Sequence, residues 1–233
     1  MSTDTKKTAL IIGATRGIGA ATARRFLNEG YIVAGTHRGN GSVPDGVHPV
    51  ELDITEEASI TAGFKAALDH LGSLDTVVVA SGITKDGILM RASAADILDV
   101  LRTNTVGPIL AAKAALKPML RQKNGSIILM SSMSVKYGVA GQTTYTASKG
   151  AIEAFVRSMA REYSGRGIRV TAVAPGTTDT DMVAAMTDDE RAQMMTEVPM
   201  NRLAQPEEIA DAIFHVAESP YMSGSTVQVS GGA

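Results

Sequence analysis

The stretch Thr8-Ala-Leu-Ile-Ile-Gly13-Ala-Thr-Arg-Gly17-Ile-Gly19 decides the fold. An apolar, β-branched run passes through three glycines into an Ala-rich segment, a pattern typical of a buried strand followed by a helix. Glycines at such a turn let backbone N–H groups approach a pyrophosphate, and the helix amino terminus favours the negative charge. The Gly-x3-Gly-x-Gly spacing is wider than the usual dinucleotide fingerprint, but its place after the first strand predicts a pyrophosphate site. The alternative is a purely structural strand-to-helix turn.

The rest of the chain alternates short apolar runs with longer amphipathic stretches. Each run is nearly continuously apolar, as expected for strands that are covered on both faces. The predicted strands are 8–13, 31–36, 47–53, 74–80, 126–132, 168–174 and 226–229, and the predicted helices are near 17–30, 56–71, 93–103, 105–121, 144–164 and 206–218. This alternation predicts an α/β protein, a single-domain Rossmann fold over residues 1–233 with a doubly wound, seven-stranded parallel sheet and helices on both faces. Residues 177–205 are irregular and are predicted to form a mobile flap.

The composition narrows the possible functions. The 233 residues are 44% hydrophobic, and 22 basic residues nearly balance 24 acidic ones, so neither nucleic acid nor a membrane is an expected partner. The chain has no cysteine and its four histidines are scattered, so no metal site is expected. The first residues do not resemble a signal peptide, and no apolar run approaches about 18 residues, which predicts a cytoplasmic protein.

The end of the second strand bears on the choice of cofactor. It reads Thr36-His37-Arg38-Gly39 and lacks the acid that usually holds the ribose 2′-OH of NAD. Arg38, together with Arg16 of the glycine loop, is suited to a 2′-phosphate through charge-assisted hydrogen bonds. The sequence therefore predicts NADP(H), and His37 is counted among the cofactor-binding residues although its side chain is expected at the surface. The alternative is that Arg38 is an ordinary solvated arginine.

Two further strand ends add candidate contacts to the cofactor. Asp53, followed by Ile54, ends the third strand and is placed to accept a hydrogen bond from the adenine amino group. A helix cap is an equally good interpretation of Asp53, and the two roles are compatible. Ala80-Ser81-Gly82 ends the fourth strand, and its small residues let the backbone approach the adenosine side of the cofactor.

A second group of residues carries candidate chemistry. Tyr145-x3-Lys149 opens a helical pattern, so both side chains lie on one helix face. Ser132 closes the fifth strand, and Asn104 lies between two helical stretches. In this order and spacing, the glycine loop and these four residues resemble the short-chain dehydrogenase/reductase family, along essentially the whole chain from residue 8 to residue 233.

Carbonyl reduction explains these residue types. Hydride addition builds negative charge on the carbonyl oxygen, and the phenol of Tyr145 can donate the proton that this oxygen needs. Because a free phenol has a pKa of about 10, we expect the Lys149 ammonium, together with the positive oxidised nicotinamide, to lower it. Ser132 is expected to hydrogen-bond the carbonyl, and the resemblance implies that Lys149 holds the nicotinamide ribose and that Asn104 fixes a proton-relaying water. The alternative for Tyr145 is a helix-face residue at a subunit contact.

The resemblance implies the rest of the cofactor site as well. The segment 174–182, after the sixth strand, resembles the family segment that contacts the nicotinamide carboxamide. The complete predicted cofactor set is Gly13, Thr15, Arg16, Gly17, Ile18, Gly19, His37, Arg38, Asp53, Ile54, Ala80, Ser81, Gly82, Tyr145, Lys149, Pro175, Gly176, Thr178 and Thr180.

Within the family, segments 82–91, 141–145 and 206–209 are most similar to 3-oxoacyl-[acyl-carrier-protein] reductases of fatty-acid synthesis. This resemblance implies NADPH-dependent reduction of a 3-oxoacyl thioester on an acyl carrier protein or another thioester carrier, by a homotetramer. Lys123 and Arg166 fall where those enzymes dock the acidic carrier, although ordinary solvated charge explains both equally well. Ile12 and the Ala80-Ser81-Gly82 segment depart from the usual residues and are expected to alter cofactor affinity.

Two other interpretations stay open. The first is a carbonyl reductase of the same family that acts on a polyketide, a CoA thioester or a free ketone of a secondary pathway. The second is a non-catalytic dinucleotide-binding sensor or scaffold, against which the complete set of Asn104, Ser132, Tyr145 and Lys149 argues.

Overall fold

One parallel sheet forms the centre of the fold. The computed structural model describes residues 6–39, 41–180, 196 and 198–233. The strands are β1 (Thr8–Ile12), β2 (Ile32–His37), β3 (His48–Glu51), β4 (Thr76–Val79), β5 (Gly125–Met130), β6 (Ile168–Pro175) and β7 (Thr226–Val229). They lie in the order β3-β2-β1-β4-β5-β6-β7, and each neighbouring pair is parallel. The prediction of a seven-stranded parallel sheet is confirmed.

Helices lie between the strands. They are α1 (Gly17–Asn28), α2 (Glu57–Leu71), α3 (Ala94–Leu101), α4 (Gly107–Gln122), α5 (Ser134–Tyr137), α6 (Thr143–Tyr163) and α7 (Pro206–Glu218). A π-helical turn, Arg102–Val106, joins α3 to α4, and 3₁₀ turns occupy Leu89–Arg91 and Ser164–Arg166. The six predicted helices are found within two residues at each end. α5 and the 3₁₀ turns are not predicted from the sequence, because single turns are too short to show a hydrophobic period.

The start of α7 shows how local sequence fixes an element. Pro206 occupies the first helical position, where its missing N–H costs nothing. Glu208 accepts the Gln205 N–H at 2.8 Å and also binds Arg202 through two hydrogen bonds of 2.6 and 2.7 Å. The helix therefore begins where the sequence predicts it.

Two apolar cores cover the two faces of the sheet. One core joins the sheet to α2, α4 and α6, with Phe64, Ala112 and Ile152 among its buried residues. The other joins the sheet to α1 and α7, with Phe26 and Ile213 among its buried residues. All five residues of β1 are buried, as expected for a central strand. The predicted helices on both faces are confirmed.

The order of the strands places a crevice above β1 and β4. The chain moves outward from β1 to β2 and β3, and then returns to form β4 on the other side of β1. In open parallel sheets, ligands bind at the carboxyl ends of the strands where the order reverses in this way. The glycine loop after β1 and the Ala80-Ser81-Gly82 segment after β4 meet at that place.

No helix in the described ranges is long and apolar enough to cross a bilayer. The same ranges contain no group of three or more His, Cys, Asp or Glu side chains that suits a metal ion.

Phe26 offers a test of the packing between α1 and α7. Its ring is fully buried and meets Tyr31 and Phe214 edge-on, at centroid distances of 5.0 and 5.2 Å. Phe26→Ala should lower the free energy of unfolding by about 3–5 kcal/mol, because it removes buried apolar contacts and leaves a cavity. Urea denaturation measures this loss, with Tyr221→Ala as the control because Tyr221 is fully exposed. A loss no larger than that of the control would contradict the packing.

Candidate active site

The glycine loop is held tightly at the carboxyl end of β1. Gly13 and Gly17 have φ values of 87° and 51°, in the left-handed region that favours glycine. The Gly13 N–H donates to the Thr36 hydroxyl, at the end of β2, over 3.0 Å. A Cβ on Gly19 would lie 1.9 Å from the Gly13 carbonyl oxygen, so only glycine fits there. These contacts fix the loop against β2 and against its own helix.

The loop presents the amino end of α1 to the crevice. No residue in the first turn of α1 is acidic, and among the described residues no side chain caps the start of this 12-residue helix. Uncapped N–H groups and the helix dipole suit a pyrophosphate. Thr15 and Ile18 are half-buried in the same loop. The chain therefore fits a dinucleotide, with residues 13–19 as the pyrophosphate cradle.

The turn after β2 carries the residues predicted to select the cofactor. Arg16 and Arg38 are both exposed, on the glycine loop and on this turn. A Cβ on Gly41 would lie 3.3 Å from the Thr15 methyl carbon, so the turn packs against the glycine loop. The Nδ1 atom of His37 accepts the Gly39 N–H at 3.1 Å, which gives this histidine a part in shaping the turn.

Asp53 caps a turn and not a helix. Its Oδ1 atom accepts the Thr55 N–H at 2.8 Å and the Thr55 hydroxyl at 2.7 Å. These bonds are the main reason that the pKa of Asp53 lies below its usual range, and the positive charge of Arg38 adds to them. Because α2 begins only at Glu57, the helix-cap interpretation of Asp53 is wrong. Ile54 is buried in the core with α2, so only its backbone can face a cofactor.

The segment after β4 packs directly on the glycine loop. A Cβ on Gly13 would lie 2.9 to 3.1 Å from the backbone and Cβ of Ser81. Ser81 Oγ is buried and has no hydrogen-bond partner among the residues that the structure describes. An unpaired buried hydroxyl is costly, and it fits a polar ligand atom at this place. Ala80 is half-buried and Gly82 is exposed beside it.

Ser132, Tyr145 and Lys149 come together near the carboxyl end of β5. The Tyr145 phenol lies close enough to Ser132 for that side chain to lower its pKa, and the Lys149 Nζ atom lies 5.8 Å from the centroid of the Tyr145 ring. Ser132 follows the end of β5, and its hydroxyl also accepts the Ser134 N–H at 3.2 Å. α6 carries both Tyr145 and Lys149, one turn apart. Ser132, Tyr145 and Lys149, which the sequence predicts as one catalytic group, therefore lie close together in the structure.

Burial dominates the proton affinities in this group. The Lys149 ammonium donates to the Met130 carbonyl at 2.9 Å, and burial lowers the pKa of Lys149 to about 8. Burial raises the pKa of the Tyr145 phenol, the nearby Ser132 side chain opposes this, and the negative charge of Asp86 adds to it. In the protein alone, burial and not Lys149 therefore sets the direction of the phenol pKa, and its lowering by Lys149 together with the oxidised nicotinamide stays a prediction.

Asn104 lies in the π-helical turn between α3 and α4, an irregularity that is frequent at functional sites. Its side chain accepts the Ile83 N–H at 2.9 Å, and donates to the Ile83 carbonyl at 2.8 Å and to the Ser148 hydroxyl at 3.1 Å. A Cβ on Gly82 would lie 3.4 Å from Asn104 Oδ1 and 3.5 Å from Lys149 Nζ, so both polar groups lie next to Gly82. Asn104 therefore joins the segment after β4 to α6.

The segment after β6 faces the glycine loop from the other side. Pro175 ends β6, and the Thr178 hydroxyl donates to the Gly176 carbonyl at 3.1 Å, which leaves the backbone of Thr178 as its contact group. A Cβ on Gly17 would lie 3.4 Å from the Thr180 methyl carbon, so Thr180 lies against the loop. Much of the predicted flap, at 181–195 and 197, lies outside the described residues.

Lys123 and Arg166 lie near the amino ends of strands in the sheet, at the end opposite to the glycine loop. Both are exposed, and they immediately precede the amino ends of β5 and β6. A Cβ on Gly167 would lie 2.2 Å from the Lys123 carbonyl oxygen, so the two segments are adjacent. The structure brings these two residues together, but not with Ser132, Tyr145 and Lys149.

Comparison with known proteins agrees with this geometry. Residues 13–233 match the family described as enoyl-(acyl carrier protein) reductase. The chain belongs to the short-chain dehydrogenase/reductase family. It is 38% identical to the 3-oxoacyl-[acyl-carrier-protein] reductase FabG of Vibrio harveyi, over 97% of this chain and 96% of that protein. It is 36% identical to carbonyl reductase family member 4 of Xenopus laevis, over 97% of each, and to MabA of Mycobacterium bovis, over 97% and 92%.

Membership of the short-chain dehydrogenase/reductase family makes this chain an oxidoreductase, and it confirms the resemblance drawn from the sequence. Several contacts of its site were not foreseen. The bond from Ser131 Oγ to Glu153 Oε1, at 2.7 Å, ties the end of β5 to α6. The bond from Gln142 Nε2 to Asp86 Oδ2, at 3.1 Å, joins residues that are 56 positions apart. No local signal marks such pairs, since only the fold brings them together.

The buried ammonium of Lys149 costs this short-chain dehydrogenase/reductase stability. Its pKa of about 8 lies below the usual lysine value of 10.5. The cost is therefore fully present below pH 8 and fades as the pH rises towards the pKa of the unfolded chain. Lys149→Met should raise the free energy of unfolding by about 2 kcal/mol near pH 7, because it removes this charge.

Urea denaturation without cofactor, near pH 7 and near pH 9.5, measures this gain. The exposed Lys117, on α4, supplies the control Lys117→Met, for which little change is expected at either pH. The gain from Lys149→Met should shrink at the higher pH. Equal gains at both pH values, or none near neutrality, would contradict the account.

Proposed function

We propose that this chain reduces a 3-oxoacyl thioester, bound to an acyl carrier protein, to the 3-hydroxyacyl thioester with NADPH. The observation that carries the proposal is the half-buried Tyr145 phenol, which lies beside Ser132 and has the Lys149 ammonium 5.8 Å from the centroid of its ring. Relatives from Vibrio and Staphylococcus are named for this reaction. The proposed setting is fatty-acid or polyketide synthesis in the cytoplasm.

When bound, NADPH supplies the hydride that reduces the carbonyl carbon. The chain supplies the proton and the polar contacts. Tyr145 donates its hydroxyl proton to the carbonyl oxygen as negative charge develops there. Ser132 donates a hydrogen bond to the same oxygen and holds it within reach of the phenol. Because burial raises the pKa of Tyr145, the phenol is protonated at neutral pH and ready to donate.

Lys149 compensates the charge that proton transfer leaves on Tyr145. A phenolate in a buried place is costly without a positive partner. The Lys149 pKa of about 8 keeps its ammonium largely protonated at neutral pH, near the Tyr145 ring. We assign to Asn104 the role of keeping this part of the site ordered. Its side chain is hydrogen-bonded to Ile83 and to Ser148, which is next to Lys149.

The preference for NADPH is assigned to Arg38 and Arg16. Both guanidinium groups are exposed where the turn after β2 packs against the glycine loop. Bidentate charge-assisted bonds to a 2′-phosphate are the contacts for which arginine is best suited. No acid follows β2 directly to hold a ribose 2′-OH instead.

Docking of an acidic carrier is assigned to Lys123 and Arg166. The two are adjacent and exposed, and their charges suit an acidic protein. Because they lie at the amino ends of β5 and β6, a carrier held there faces away from the Tyr145 of the same subunit. The proposed homotetramer would let a carrier held there reach the Tyr145 of a neighbouring subunit.

A free ketone is the second candidate substrate, because the chain is as similar to the Xenopus carbonyl reductase as to MabA. NADPH oxidation, followed at its near-ultraviolet absorbance, separates the candidates. We expect turnover of a 3-oxoacyl thioester on its carrier protein, weaker turnover of the same acyl group on a short thiol, and little with a free ketone. A 2-enoyl thioester tests the reaction for which the family is described. Turnover of only the ketone or only the enoyl thioester would overturn the proposal.

Tyr145→Phe tests the proton donor. Loss of the hydroxyl should lower kcat by about 10²–10⁴, because a positioned acid contributes that factor. NADPH affinity, measured by fluorescence titration, should stay near that of the unchanged protein. Tyr163→Phe, at the far end of α6, is the matched control and should keep full activity. Activity of Tyr145→Phe close to that of the control would rule out the assigned acid.

Arg38→Asp tests the choice of cofactor. The substitution should lower the ratio of NADPH to NADH affinity by about tenfold or more, because charge-assisted bonds to the 2′-phosphate are lost. Dissociation constants of both cofactors measure this ratio. Arg161→Asp, an exposed charge reversal on α6, is the control. An unchanged ratio in Arg38→Asp would remove Arg38 from the site.

A further inference from the structure

Two loops, one after β4 and one that leads into α6, are bonded to each other. We call residues 80–88, after β4, the β4 loop, and residues 138–142, before α6, the α6 loop. The Gly87 N–H donates to the Gly141 carbonyl at 2.9 Å. Gln142 Nε2 donates to Asp86 Oδ2 at 3.1 Å. Since Gln142 is the last residue before α6, these bonds act on the turn that carries Tyr145.

The β4 loop is a firm base for such a contact. Asn104 forms two hydrogen bonds with the backbone of Ile83, at 2.9 and 2.8 Å. The Lys85 ammonium binds Asp96 at 2.6 Å and Asp99 at 2.9 Å, both on α3. The loop is therefore fixed to the π-helical turn and to α3 immediately before Asp86.

Asp86 has two separate partners for its two carboxylate oxygens. Oδ1 accepts the Thr84 hydroxyl of the same loop, while Oδ2 accepts the amide of Gln142. The carboxylate is thereby oriented by its own loop and presented to the neighbouring one. It is also close enough for its negative charge to raise the pKa of Tyr145, which agrees with this placement.

We infer that Asp86 is a positioning residue, which through Gln142 holds the first turn of α6 so that Tyr145 stays beside Ser132. The inference rests on the proposed function, because this position matters for catalysis only if Tyr145 donates the proton. Asp86 is not assigned a contact with the reacting atoms. Its effect passes through the bond to Gln142, with Gly87 and Gly141 as the backbone link beside it.

Four variants separate the bond from the charge. Asp86→Ala and Gln142→Ala each remove the bond between the two side chains. Asp86→Asn removes the negative charge but keeps an oxygen that accepts the Gln142 amide. The double alanine variant completes a double-mutant cycle. The matched control is Asp69→Ala, an exposed aspartate on α2. Steady-state kinetics with the carrier-bound thioester and saturating NADPH give kcat and KM for each.

Either single alanine variant should lower kcat by about three- to tenfold with a smaller change in KM, as expected for the loss of one hydrogen bond. The double variant should be no worse than either single one, and Asp86→Asn and the control should stay near the unchanged protein. Additive losses, a kcat of Asp86→Ala near that of the control, or a loss in Asp86→Asn as large as in Asp86→Ala would overturn the inference.

Hydrogen exchange of the Gly87 amide, followed by NMR, reports on the link without turnover. It should speed up by about tenfold in Asp86→Ala, and not in the control, because the loops separate more often. If the unchanged protein reduces no thioester, the proposed function fails while this exchange still tests the link between the loops. If the unchanged protein turns over and neither kcat nor exchange changes in Asp86→Ala, the inference about Asp86 fails alone.

Discussion

The contact between the Lys149 ammonium and the Met130 carbonyl is the constraint on which the site depends. An ammonium within a folded chain needs hydrogen-bond acceptors, and among the described residues Lys149 donates to this one carbonyl at the end of β5. The bond fixes α6 to the strand that leads into Ser132, so one contact sets the distance between the helix residues and the serine. Because no carboxylate of the described ranges pairs with this ammonium, its charge can compensate a negative charge that develops beside it.

The walls around this contact are built from hydrogen bonds that cross between elements. Asn104 joins the β4 loop to α6, Ser131 joins the end of β5 to Glu153 on the same helix, and the β4 loop reaches the α6 loop through Gly87. Each bond is modest by itself. Together they hold the segments around the half-buried Tyr145 in place. Positioning of the proton donor is thus distributed over the ends of β4, β5 and α6.

Much of this architecture could be predicted from the sequence, and the reasons are local. Near-continuous apolar runs identify all seven strands, since both faces of a covered parallel sheet are dry. The four residues Asn104, Ser132, Tyr145 and Lys149 could be grouped because their order and spacing resemble the short-chain dehydrogenase/reductase pattern. The role of Asp53 as a turn cap, the π-helical geometry at Asn104 and the raised pKa of Tyr145 could not, because they depend on tertiary contacts and on burial. The helix starts were accurate where a proline or glycine marks them, as at Gly17 and Pro206.

Ile12 and the Ala80-Ser81-Gly82 segment depart from the family pattern, and they lie next to the glycine loop. The residues proposed for proton transfer are unchanged. Ile12 is almost completely buried at the end of β1, where a hydroxyl would face core packing. After β4, Ser81 brings a hydroxyl whose Oγ is unpartnered within the described part of the chain. The Ala80 N–H donates to the Ile12 carbonyl at 2.9 Å, so the two departures lie side by side. Because these positions lie beside Gly13 and not beside Tyr145, cofactor affinity can vary here without any change in the proton donor.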